Sequence, residues 1–195
     1  IQEAKKLRED FDVKNPNLPD IKEVKKNISD TKNYRSTLKA RDPRVRVAIV
    51  KKEGGTTRTE AAVARGLHWI AQHQNANGSW SFDHRGGACQ GRCGNPGNLA
   101  AATKGATAMA LLPFLGAGQT HKDGKYKKNV LAGLEFLLGH ANETGHFMEP
   151  GGRMYSHGLC AITLCEAYAM THRRDYMPFA QMSLNFIVYA QDPVG

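Results

Sequence analysis

The spacing of hydrophobic positions changes character near Thr57. From Ala61 to Gln74 apolar residues recur with the period of an amphipathic helix. Thr57-Arg58-Thr59-Glu60 ahead of them has capping-box spacing, a hydroxyl followed three residues on by a carboxylate, and predicts the helix start. Four more helices are predicted over 99–116, 126–140, 155–172 and 175–191, separated by loops bearing Gly, Asn or Pro. Pro113 should kink the second, whereas Pro178 falls in the first turn of the last and is tolerated there. Upstream the pattern differs. Arg44-Val45-Arg46-Val47-Ala48-Ile49-Val50 alternates basic and β-branched or small apolar residues, which predicts a strand with one wet face, closed by Gly54-Gly55 and in need of a pairing partner. Residues 1–39 are short of large apolar side chains and hold Pro16 and Pro19, so residues 1–56 read as an extended arm or linker ahead of an all-α domain over 57–195.

Aligning alternate helices exposes an internal repeat in three copies. The first is Arg65-Gly66-Leu67-His68-Trp69-Ile70, then Gln74, then Gly78-Ser79-Trp80. The second is Ala132-Gly133-Leu134-Glu135-Phe136-Leu137, then Ala141, then Gly145-His146-Phe147, at the same internal spacing. The third is Met182-Ser183-Leu184-Asn185-Phe186-Ile187, then Gln191, then Gly195. Each unit is a helix pair with a loop of variable length, too small to close a core alone, so neighbouring units must stack. Gly66, Gly133 and Ser183 are small enough for a neighbouring helix to approach, with an aromatic three positions on along nearly the same face. Gln74 is placed to bond free backbone groups at helix ends, and Trp80 to cover it. Carried to the third copy, the register places another aromatic two positions past Gly195, predicting that the protein continues into a helix that covers 175–191.

The first copy, Arg65-Gly66-x-x-Trp69-Ile70-x-x-x-Gln74-x-x-x-Gly78-x-Trp80, resembles the QW motif of the superfamily of squalene/hopene cyclases and protein prenyltransferase β-subunits. The resemblance covers about residues 57–195 and implies a partial α/α toroid, with residues 1–56 as a mostly irregular basic arm. The chemistry of those enzymes does not come with it. Class II cyclases of this superfamily use an Asp-x-Asp-Asp acid and prenyltransferases an Asp-x-Cys zinc ligand pair, and neither string occurs here. Thioester domains with a related toroid need Gly-Cys-Gly-Glu-Gln, from which Gly158-Leu159-Cys160-Ala161 departs.

Composition narrows the rest. The 195 residues carry 27 Lys+Arg against 18 Asp+Glu, a formal +9, and most of the excess lies in residues 1–60. Ten acidic residues are interspersed there, and no recognition motif or stacking platform accompanies them, which argues against nucleic acid and for an acidic protein or surface. No apolar run is long enough for a membrane span. Four Cys are too few for a disulfide-stapled scaffold. The Gly-rich insertion 84–97 needs something to pin it: Cys89 and Cys93 could form a disulfide, remain free thiols, or bind a metal with His84. The disulfide is the preferred expectation, with no metal and no cofactor. Cys160 and Cys165 read as small core hydrophobes. Glu166 should pair with a basic group or face a polar cavity, the pair being preferred. Ser156 should cap the fourth helix, and His157 beside it should pack rather than act as an acid or base.

These features predict a module with no catalytic residues, serving binding or assembly, with the basic arm as tether. Its partner would be another protein, its own continuation, or a second copy. The alternative is an isoprenoid-processing enzyme, cyclase- or prenyltransferase-like, whose active site is completed by residues outside 1–195.

Overall fold

A computed structural model describes Leu38, residues 40–87 and residues 89–192. The expectations placed on residues 1–37 and on Gly195 lie outside the described residues. Among the described residues the protein is all-helical, without a strand. The helices are α1 (Pro43–Lys52), α2 (Thr57–Gln72), α3 (Thr103–Gly116), α4 (Lys127–Gly139), α5 (Arg153–Thr171) and α6 (Tyr176–Tyr189), with one 3-10 turn at His84–Gly86. No helix is long and apolar enough to cross a membrane among the described residues.

The strand expected over Arg44–Val50 is instead the body of α1. Asp42 caps it by accepting the Arg44 N–H at 2.9 Å, Pro43 takes the first helical position, and Lys51 and Lys52 close the last turn. A strand needs a neighbour for its backbone groups, and a helix satisfies its own; with no strand among the described residues to pair with, the capping signals win over the alternation. Val47 is left 73% exposed as a result. This part of the arm lies on the helical body. Arg41 forms a two-pronged ion pair with Glu166 of α5, at 2.6 and 2.8 Å, and Arg46 reaches Glu60 of α2 at 3.1 Å. Glu166 thus has the basic partner its position in an apolar helix demanded.

The start of α2 is one residue earlier than expected. Thr56 is the cap, exchanging reciprocal hydrogen bonds with Thr59, and Glu60 stays in the first turn where it favours the helix dipole. Helix α3 begins at Thr103 rather than 99 because Leu99–Ala102 forms a turn. Its first amides are capped from a distance, the Glu149 carboxylate accepting the N–H groups of Lys104 and Gly105 at 2.8 Å each. Ser156 does not cap α5: it lies inside that helix and donates to Glu149 at 2.6 Å. Pro113 occupies the last turn of α3, and Pro178 the first turn of α6.

Helices α3 and α5 lie against each other at the centre, with α2 and α4 packed on α3 and α6 on α5. Close approach of the central pair needs Gly105, where a Cβ would meet the side chain of Ser156. The core around them is mostly apolar: Leu111, Phe114, Leu115, Leu134, Leu137, Phe147, Leu164 and Tyr176 are fully buried, and the buried Thr163 hydroxyl of α5 donates to Ala108 O of α3 at 3.2 Å.

Candidate functional site

Several repeat residues lie at the junctions between helix pairs, and the turn positions of copies one and two make corresponding bonds. In copy one the turn after α2 is closed by Asn75 N–H to Ser79 O and Gly78 N–H to Asn75 O, at 2.8 and 2.9 Å. In copy two the same turn uses Asn142 to His146 and Gly145 to Asn142, at 3.1 and 2.8 Å. Gly78 and Gly145 both have positive φ, +87° and +80°, and each abuts the equivalent residue in the first helix of the next copy, Ala132 of α4 and Met182 of α6. The next aromatic is also held alike. The Trp80 N–H donates to Thr107 Oγ1 at 3.0 Å, and the Phe147 N–H donates to His157 Nδ1 at 3.1 Å.

Single residues depart from expectation. Trp80 is buried and donates its indole N–H to Ile70 O at 2.7 Å, but its ring lies against Gly133 and Phe114. Gln74 instead donates to Gly78 O and Asn129 O, both at 2.9 Å, and accepts from the Asn129 side chain at 2.7 Å, stitching α2 to α4. Gly133 is the close-approach glycine that the motif predicted, whereas Gly66 faces open space, and its neighbour Arg65 is exposed. Phe136 is buried and stacks on His140, Phe186 packs edge-on to His157, and Gln191 is exposed.

Both ring nitrogens of His157 are taken up by backbone groups. It is fully buried, accepts at Nδ1 from Phe147 and donates at Nε2 to Ser183 O at 3.1 Å, tying α5 to α6. Burial lowers its pKa, partly opposed by the Ser183 carbonyl, so it is a neutral packing residue, as its sequence position suggested. Cys160 is fully buried and Cys165 half-buried, and burial raises both thiols above their ordinary value. They pack as expected.

Chemistry gathers elsewhere, where the insertion folds back on the end of α2. Cys89 and Cys93 are free thiols here, not a disulfide. His73 joins them, and the three ligand atoms all lie within 4.8 Å of one another. Nε2 of His73 is 3.6 Å from Cys93 Sγ, while its Nδ1 donates to Trp69 O at 2.6 Å. The Trp69 indole N–H points at Cys93 Sγ, 3.4 Å away, and the ring stacks on His73 with centroids 3.9 Å apart. Trp69 is 41% exposed, so this motif aromatic serves the loop more than the core. Hydrogen bonding from the Cys93 N–H, joined by His73 and the Gly91 N–H, outweighs the cost of burial and pulls the Cys89 thiol down to about 6. His84, the third ligand of the metal alternative, sits beside the cluster, its ring edge-on to His73 at 5.8 Å. An Asp83–Arg85 clamp at 2.7 and 2.8 Å brackets it, and that same pairing draws the Asp83 carboxyl down to about 2.

His73 was the residue missed from sequence. The signal was present: His73 and His140 occupy the same place in copies one and two, four residues past the repeat aromatic, and His140 Nδ1 bonds Phe136 O at 2.7 Å as His73 bonds Trp69 O.

Comparison with family models, curated proteins and solved structures gives no match for this chain, so the roles of these residues rest on their own geometry.

Proposed function

We propose that this protein is a non-catalytic helical-repeat module for binding and assembly, a partial α/α toroid of the type its QW-like motif resembles, tethered by its basic arm. One observation carries the reading. Val130, Leu134 and Leu137 of α4 are fully buried, but in the third copy Leu184 and Ile187, the counterparts of Leu134 and Leu137, are 43% and 38% exposed. Val188, 39% exposed and one turn beyond Leu184, extends the same apolar surface on α6. A position that the repeat buries in its middle unit is bare in its last, which supports docking of a further apolar helix there, from a second copy or from another helix-pair protein. The arm complements this, because its basic excess attracts an acidic partner while Arg41 and Arg46 anchor its end to the body.

Sedimentation of the purified chain tests the reading. Self-association, or capture of a helical partner, should be lost on Leu184→Asp with Ile187→Asp, while helicity by circular dichroism is retained. A parent that is a monodisperse monomer with no partner sensitive to those substitutions would refute it. The enzymatic alternative is supported by the resemblance alone.

A further inference from the structure

The cluster at the end of α2 has the composition and spacing of a metal centre. Tetrahedral zinc with Zn–S of ~2.3 Å and Zn–N of ~2.0–2.1 Å separates a sulfur from a nitrogen ligand by about 3.6 Å and two sulfurs by about 3.8 Å. The Cys93 Sγ to His73 Nε2 distance is 3.6 Å, and Cys89 Sγ lies within 4.8 Å of both. The bond from His73 Nδ1 to Trp69 O fixes the tautomer that leaves Nε2 free as a donor to metal, the usual second-shell arrangement of a ligating histidine. The Trp69 N–H directed at Cys93 Sγ favours thiolate over thiol. A disulfide would have no use for either contact.

A fourth ligand stands on the same loop. Nε2 of His84 is buried without a hydrogen-bond partner, a costly state for an imidazole nitrogen unless something binds it. Its ring centroid is 5.8 Å from that of His73, and two imidazoles on one tetrahedral zinc have centroids roughly 5 Å apart. We propose that His73, Cys89 and Cys93 bind a zinc ion, with His84 turning in as the fourth ligand. Four protein ligands make a closed, structural site. Its role follows from what it holds: a Gly-rich loop, with Gln90, Gly91 and Asn95 all at positive φ, fastened to the end of a helix. Binding releases any thiol protons and changes no oxidation state.

The test uses the full chain, reduced and anaerobic, loaded with zinc chloride and dialysed, with metal measured by mass spectrometry and affinity by competition with a chromogenic chelator. One zinc per chain is expected, with thiolate charge-transfer and tetrahedral d–d bands when Co²⁺ replaces it. Cys89→Ser, Cys93→Ser and His73→Ala should each weaken binding more than about 100-fold, beyond the cost of losing a second-shell group. Zinc should also protect the exposed Arg85 and Arg92 from trypsin in the parent but not in Cys93→Ser. His140→Ala is the control, altering the equivalent histidine of the next repeat and leaving one zinc bound. A folded, reduced parent that retains no zinc, or cysteine variants that bind it as tightly, would overturn the site. Unchanged affinity in His84→Ala would overturn the fourth ligand.

Discussion

Gly66 and Gly133 hold the same position in two copies of the repeat, yet substitution by Ala should move stability in different directions. Gly66 lies in the exposed middle of α2, and a Cβ there meets nothing within 4 Å. Replacing glycine with alanine in such a helix gains about 1 kcal/mol, because the unfolded chain loses freedom and the helix loses none. At Gly133 the same Cβ would lie 2.8 Å from the Trp80 ring and 2.9 Å from Leu111 Cδ2. Neither neighbour has room to retreat, since Trp80 is 4% and Leu111 0% exposed. Overpacking of this kind costs about 1–3 kcal/mol. The propensity gain is common to both variants and cancels in the comparison, so Gly133→Ala should be less stable than Gly66→Ala by about 1–3 kcal/mol. Urea denaturation followed by circular dichroism measures this directly, provided the slope with denaturant is unchanged. Equal shifts would mean that α4 does not meet Trp80 and Leu111 as described, and the account of the repeat junction would fail with it.

Trp80→Ala should cost about 3–5 kcal/mol from the buried ring, whereas Trp69→Ala, 41% exposed, should cost far less; a Trp80→Ala loss below about 1 kcal/mol would sink the packing role. These are the two tryptophans of the chain, so Trp69→Phe isolates Trp80, whose emission should be blue-shifted until the protein unfolds. The folded His157 titrates below its ordinary 6.5 because it is buried, while the unfolded chain takes up the proton near 6.5. Stability should therefore be full above that pH and fall as pH drops through 6.5, by up to about 1.4 kcal/mol per unit for each such histidine. His121, shifted the same way mainly by burial, adds to the slope; His157→Gln should reduce it, and an unchanged slope in denaturation at pH 5–7 would refute the assignment. In metal-free protein Cys89 should react with iodoacetamide with a half-point at about 6 while Cys160 stays inert until unfolding, and mass mapping of a pH series that found equal reactivity would contradict the environments described.

The helical domain was legible because its signals are local. Apolar spacing at period 3.6 located α2 to α6, and of the repeat positions Gln74, Gly78, Trp80, Gly133 and Phe147 lie at junctions while Arg65, Gly66 and Gln191 do not. What was not legible depended on partners far apart in the chain. Alternation in Arg44–Val50 resembled a strand because no sequence pattern says whether a neighbour exists to pair with, and the Asp42-Pro43 start signal was the better guide. The capping of α3 by Glu149 spans 44 and 45 residues, beyond any local motif. The second copy preserves a glycine at 133 for Trp80, but no pattern revealed that the first copy's Gly66 has nothing to meet.

The histidine at the end of the first helix in copies one and two explains how a packing repeat could acquire a metal site. In copy two, His140 stacks on Phe136 at 4.0 Å and bonds its carbonyl, a contact that closes the helix and needs nothing else. In copy one, the same stack and the same bond recur between His73 and Trp69, so the orientation of His73 comes from the repeat and not from the cysteines. Its Nε2 is consequently fixed before any loop arrives. The insertion after Trp80 then needs only to bring thiols to a nitrogen already aimed outward, and an indole supplies an N–H that a phenyl ring at the equivalent position lacks. Ordering a ligand is part of the cost of building a metal site, and here the helix bears that part for one ligand in advance. The consequence is directional: losing the cysteines should leave the His73–Trp69 stack intact, while losing Trp69 should weaken zinc binding through both the orientation of His73 and the hydrogen bond to Cys93.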